Sequence, residues 1–194
     1  FNEINELPQG ARVGSCSLRR IVQLKAIRPD LVILDLRGNV NTRLMKLDKG
    51  EYDAIILACA GLIRLGFEDR IRQPLDAQTS LPAVGQGALG IENRKGDEAV
   101  SELIKPLIDS KTMTEVLAER AMNAALEGSC SVAIAGYAAT MGDELLLKGL
   151  VGNVESGSIL RAESTGSISQ PGALGELVAN QLLAIGAGKL LEGV

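Results

Sequence analysis

Five arginines and one cysteine define the chemistry open to this chain. Arg19 and Arg20 fall at the opening of one amphipathic stretch, Arg37 and Arg43 flank the turn into the next, and Arg64 follows a third apolar run. Cys130 stands in a loop beside Gly128. Guanidinium forks grip carboxylates bidentately, and positive charge near a thiol raises its thiolate fraction. Together they suit a flexible ligand with many carboxylates, held by charge and anchored by one covalent bond. Taken singly, an arginine near a turn is solvated and a cysteine in a tight turn is a small structural residue. Cys16 and Cys59 are read as structural thiols, with Cys16 close enough to the first arginine pair to line a ligand site.

Charge is segregated along the chain. Residues 11–72 hold 12 Lys and Arg against 7 Asp and Glu, although the whole carries a net −4. A basic stretch in an acidic chain with only 2% aromatic residues suits a small anionic ligand better than nucleic acid, which asks for a basic domain and stacking partners. The absence of histidine removes Ser-His-Asp and Cys-His chemistry, so proton transfer falls to carboxylates, lysine or the substrate. Three cysteines without CxxC spacing argue against a disulfide framework and a zinc site, and no metal is expected. No apolar run reaches the roughly 18–20 residues that span a bilayer, and no secretory pattern opens the chain, so a cytoplasmic address with no membrane partner is expected. Phe1 is not an initiator methionine, and the first eight residues read as a linker ending at Pro8, with a further segment expected before them.

The elements that must position these residues read as a parallel α/β layer from Ala11 to Arg72. Strands are expected at Arg12–Ser15, Leu31–Leu36 and Ala54–Ala58, the second too continuously apolar to face solvent. Helices are expected at Ser17–Ile27, ended by Pro29, and at Val40–Lys49, closed by Gly50, with helices on both faces of the sheet. Ligands bind outside the carboxyl ends of such strands, so the turns Gly14–Ser17, Arg37–Asn39 and Ala58–Gly61 should bring the five arginines to one rim. Residues 81–92 read as a strand entered through a glycine-rich loop. Residues 97–109 and 112–126 read as helices, the second opened by a capping box of Thr112 and Glu115. Strands at 133–140, 144–151 and 159–164, joined at Gly142-Asp143 and Ser156-Gly157, then a helix at 173–185 and a short terminal helix, complete an antiparallel α+β unit.

Several of these segments resemble the hydroxymethylbilane synthase (porphobilinogen deaminase) family of tetrapyrrole biosynthesis. They are Gly14-Ser15-Cys16-Ser17-Leu18-Arg19-Arg20, Leu36-Arg37-Gly38-Asn39-Val40-Asn41-Thr42-Arg43-Leu44, Tyr52 to Ala58, Leu81 to Gly87, Glu119 to Asn123 and Leu126 to Cys130. The resemblance implies a dipyrromethane cofactor held by a thioether on Cys130. It implies cofactor contacts from Ser17, Arg19, Arg20, Arg37, Gly38, Asn39, Arg43, Ala58 and Gln86, and substrate contacts from Arg19, Arg37, Arg43 and Arg64. The implied reaction joins four porphobilinogen molecules head to tail with loss of ammonia, and water releases the linear bilane. Ser129 and Ala133 depart from the family's Gly-Gly-Cys and Val-Pro pattern around the thiol.

The implied fold is a type II periplasmic-binding-protein-like domain followed by an α+β domain with a three-stranded antiparallel sheet. Residues 1–80 would correspond to the family's domain 2, 81–109 to a segment returning to domain 1 with a linker helix, and 110–194 to the domain carrying the cysteine. The family's N-terminal domain and its catalytic aspartate have no counterpart here. The expectation is therefore a fragment, weak or inactive alone, whose partner is that domain in an otherwise monomeric enzyme, and whose residues 81–105 lack much of their packing. Two other readings stay open: a noncatalytic polycarboxylate-binding module with a structural Cys130, and a solute-binding-protein relative.

Overall fold

The computed structural model describes residues 1–127 and 132–191. Its first sheet is parallel, with order β2-β1-β3, built from β1 (Arg12–Gly14), β2 (Val32–Leu34) and β3 (Ala54–Ile55). Register pairs Arg12 with Val32 and Gly14 with Ile55. A helix follows each strand in turn: α1 (Leu18–Ile27), α2 (Val40–Asp48) and α3 (Cys59–Arg64). Asn39 caps α2 by accepting the Thr42 amide at 2.9 Å, and Gly50, at φ +73°, closes the chain after it. Val13, Leu24 and Leu31 form the core of this layer with Leu7 and Ala11.

Three expectations change here. All three strands are shorter than the apolar runs suggested, β3 by three residues. Val32 is 45% exposed, because β2 is an edge strand rather than one buried on both sides. The first eight residues are no linker: Ile4–Glu6 form a 3-10 turn, the Ile4 amide donates to Gln73 Oε1 at 2.8 Å, and Leu7 is buried. Arg28 secures this segment by donating to the Ile4 and Leu7 carbonyls while pairing with Asp30 at 2.7 Å.

Residues 81–92 form no strand. Gly85 and Gly87 take positive φ and the Gln86 amide turns back onto the Ala83 carbonyl, so the segment curls into turns and does not extend along a sheet edge. The helix expected at 97–109 breaks into α4 (Glu98–Ile104) and a 3-10 turn, because Pro106 cannot donate to a continuing ladder. The next helix, α5 (Ser110–Ala125), starts earlier than expected. Asp109 is its cap, accepting the Thr112 amide at 2.7 Å, so the capping box is not formed. Glu115 is thereby free to accept the Thr140 amide at 2.9 Å.

The second sheet is an antiparallel meander of β4 (Ala133–Met141), β5 (Glu144–Gly152) and β6 (Ile159–Ser167), turned at Gly142-Asp143 as expected. α5 packs with α6 (Pro171–Ala184) and α7 (Ala187–Leu191) on the core of this unit, where Met122, Leu145, Leu147, Val151, Val178 and Leu182 are inaccessible to water. Gly175 lets α5 and α6 meet, since a Cβ there would lie 2.5 Å from the Ala118 carbonyl oxygen. The loop at 81–87 meets the second sheet: the Gly136 amide on β4 donates to the Pro82 carbonyl at 3.2 Å. No helix among the described residues is long and apolar enough to cross a membrane.

Candidate functional site

The turns leaving β1, β2 and β3 lie at one end of the parallel sheet, as open α/β layers place their ligand sites. Ser17 is the residue before α1, and its side chain makes no capping bond, so the first-turn amides of α1 lack a side-chain acceptor. From the first turn of α1 project Arg19 and Arg20. Arg19 is only 8% exposed; its Nη1 donates to the Leu81 carbonyl at 2.9 Å and its Nη2 to Gln86 Oε1 at 3.2 Å. Burial, then the neighbouring charge of Arg20, pushes its pKa down to about 10. Arg20 reaches across to β3, donating to the Ile56 carbonyl at 2.9 Å. Its pKa is also lowered, by burial first and the charge of Arg43 second. Arg43 bends back so that its Nε donates to the Gly38 carbonyl at 2.7 Å, across a turn where Gly38 adopts φ +117°.

Arg19, Arg20 and Arg43 therefore form a mutually repelling group, and no carboxylate lies within ion-pair distance of any of them among the described residues. Arg19 and Arg20 open on a cavity of about 560 Å³ that Ala58, Cys59 and Gln86 also line, with Val13, Leu24 and Leu44 among its apolar walls. Desolvated cations without counter-anions are costly, and a carboxylate-rich ligand supplies the missing charge. The residues present thus fit an anionic, partly apolar group such as a pyrrole carrying acid side chains.

The remaining expected residues are placed less uniformly. Arg37 is paired with Asp35 at 2.8 Å and its side chain is 81% exposed, so it stands at the solvent edge with its charge already met. Asn39 spends its Oδ1 on the Thr42 amide and hydroxyl, leaving its amide nitrogen for any ligand. Arg64, the exposed last residue of α3, is tied to the other four arginines by no hydrogen bond among the described residues. Cys130 lies outside the described residues. Sequence reasoning missed Gln23, 1% exposed, whose carboxamide accepts the Leu81 amide at 2.8 Å and donates to the Leu81 carbonyl at 3.1 Å. The available signal was a polar residue between Val22 and Leu24, on the side of α1 that should be apolar.

Comparison with known proteins adds two family matches. Residues 1–102 match the family described as "Porphobilinogen deaminase, dipyromethane cofactor binding domain", and residues 113–184 match "Porphobilinogen deaminase, C-terminal domain". The porphobilinogen deaminase of Ruthia magnifica subsp. Calyptogena magnifica is 62% identical over 192 residues, covering 99% of this chain and 63% of that protein. That of Vesicomyosocius okutanii subsp. Calyptogena okutanii is 57% identical over the same length and with the same coverage. The chain therefore spans 63% of the length of these curated relatives.

Proposed function

The chain belongs to the porphobilinogen deaminase family, and from that premise we propose that it provides the ligand-gripping and cofactor-bearing parts of a hydroxymethylbilane synthase. The activity is the head-to-tail condensation of four porphobilinogen molecules, each losing ammonia, followed by hydrolytic release of linear hydroxymethylbilane. The observation that carries this reading is the buried guanidinium of Arg19 and the half-buried one of Arg20, which line a largely apolar cavity with no carboxylate within ion-pair distance among the described residues.

The dipyrromethane, when bound, supplies the primer to which each porphobilinogen unit is joined. Cys130 would hold it through a thioether and so keep it tethered to the protein. Arg19, Arg20 and Arg43 hold acetate and propionate groups bidentately, and Arg37 and Arg64, at the solvent edge, hold the carboxylates of incoming or displaced units. Several separate grips let a many-carboxylate ligand shift from one to the next without leaving. Ser17, Gly38, Asn39, Ala58 and Gln86 shape the wall around the rings. The carboxylate that handles protons at the reacting pyrrole comes from the third of the relatives' length that this chain does not span, so residues 1–194 alone are weakly active or inactive.

In this reading residues 1–80 are one periplasmic-binding-protein-like domain, 81–109 complete a second, and 110–194 carry the cysteine. Support comes from the apolar side chains that 81–109 leave in water, among them Leu89, Ile91, Leu103 and Leu107, each more than half exposed. The test is intact mass under denaturing conditions for the chain co-expressed with the remaining segment of the Ruthia relative, beside a Cys130→Ser control. A dipyrromethane mass on the chain that is absent from the control, together with bilane formation, is expected. An unmodified chain in an active mixture would overturn the covalent role of Cys130, and an inactive mixture carrying no mass excess would overturn the activity.

A further inference from the structure

Glu119 sits in the middle of α5, 6% exposed, one turn from the inaccessible Met122 and beside Ala118. Burial raises its pKa, and no cation lies within ion-pair distance among the described residues. A carboxylate in such a place is destabilising unless its oxygens are well used. Its Oε2 accepts the Gly85 amide at 2.6 Å and its Oε1 accepts the Ala138 amide of β4 at 2.8 Å. One side chain thus binds backbone from two segments that are far apart in sequence.

The Gly85 bond matters for the arginine cleft. Residues 81–87 form no regular element, so side chains must fix their path. One end is held to α1, where Gln23 takes both backbone groups of Leu81 and Arg19 takes its carbonyl a second time. The other end is held on the second unit through the Pro82 carbonyl, by the β4 amide of Gly136, through Gly85, by Glu119, and by the packing of Val84 on the core there. Gly85 turns at φ +68°, a conformation glycine takes without strain, and the next residue, Gln86, presents its Oε1 to Arg19.

We propose that Glu119 is a positioning residue for the arginine cleft: by clamping Gly85 and Ala138 together it holds the 82–87 turn on the second sheet, so that Gln86 and the Leu81 carbonyl aim the Arg19 guanidinium into the cavity. The proposal rests on the reading of that cavity as a carboxylate site. It makes α5 the connection between the α/β layer and the unit that follows it. A Glu119→Gln change retains size and apolar packing but turns an NH2 group toward one of two backbone donors, so one amide is orphaned.

The test uses the full chain with isotope-labelled arginine. In the unsubstituted chain the Arg19 guanidinium protons exchange slowly; in Glu119→Gln they exchange about tenfold faster while the amides of Leu147 and Val151 keep their protection, showing an intact core. Arg19 protons unchanged in a folded Glu119→Gln would overturn the proposal. Should that variant fail to fold, Glu119→Asp, which keeps the charge but is too short to reach both amides, enters the same experiment with the same two outcomes. Porphobilinogen titrated into both chains is expected to bind about fivefold more weakly to the variant, the worth of roughly one hydrogen bond. Failure of the unsubstituted chain to bind it would overturn the carboxylate-site reading, and the Arg19 exchange would still decide the role of Glu119.

Discussion

Replacing Arg19 with methionine should stabilise the ligand-free chain while weakening its grip on carboxylates. The Arg19 pKa, held down to about 10 by burial and then by Arg20, corresponds to a penalty of about 3 kcal/mol for keeping the charge in the folded state. Because the guanidinium faces a cavity open to water, that figure is discounted to about 2 kcal/mol for solvent screening. Against it stands the bond to Gln86 at 3.2 Å, with a net worth of about 1 kcal/mol. The Leu81 carbonyl keeps a donor in Gln23, so little is orphaned there. Arg19→Met should therefore be more stable by about 1 kcal/mol at neutral pH by urea denaturation. The folded-state value lies below that of the unfolded chain, so the penalty is whole below pH 10 and is relieved as pH climbs through it. The same change should cost binding of porphobilinogen about 2 kcal/mol, or about thirtyfold, for one charge-assisted contact. A folded variant destabilised by more than about 1 kcal/mol would refute the reasoning, because Arg19 would then be a structural tie rather than a strained ligand group.

Gly175→Ala should cost about 3 kcal/mol in urea denaturation, near the upper end for overpacking, because its Cβ would meet the backbone of α5 at 2.5 and 2.7 Å; an unchanged midpoint would mean that α6 moves freely. Asp30 is held well below the usual carboxylate range, chiefly by the Arg28 guanidinium and then by the Gly10 amide. Its stabilisation is therefore present above the ordinary aspartate range and lost as pH falls through it toward the depressed folded value. Asp30→Asn should weaken the chain at pH 7 and matter much less in strong acid, and equal losses at both would contradict this. Cys59 lines the same cavity as Arg19 and Arg20, so porphobilinogen should slow its alkylation by iodoacetamide in proportion to occupancy, followed by peptide mass. Undiminished labelling at saturating porphobilinogen would place the ligand elsewhere.

Much of the fold was legible because its signals are local. Pro29 and Gly50 end helices, Gly142-Asp143 turns a hairpin, and apolar runs at 12–15 and 31–36 contain strands. The failures occurred where a local signal competed with a stronger neighbour or lacked a partner. Thr112 and Glu115 have the spacing of a capping box, yet Asp109 lies one turn earlier and takes the Thr112 amide. Residues 81–92 have strand-like composition, but Gly85 and Gly87 turn at positive φ and bend the backbone away from an extended path. Ile4 and Leu7 were assigned to a linker because the residues that hold them, Gln73 and Arg28, are 69 and 21 positions away respectively.

The candidate site divides along the same line, and the division explains its design. Arg19, Arg20 and Arg43 could be found from sequence because each belongs to a strand-to-helix turn or the helix after it, where chemistry and position are encoded within a few residues. Gln23 was hidden because its partner, Leu81, is 58 residues away, and Glu119 because Gly85 is 34 away. These hidden residues fasten backbone beside Arg19: Gln23 holds both groups of Leu81, and Glu119 holds the Gly85 amide. A chain selected for stability alone would give Arg19 a carboxylate partner or replace it with an apolar residue. This fold does neither. It surrounds the guanidinium with neutral acceptors, Leu81 and Gln86, which orient the charge without neutralising it, and so leaves its electrostatic demand to be met by whatever carboxylate enters the cavity.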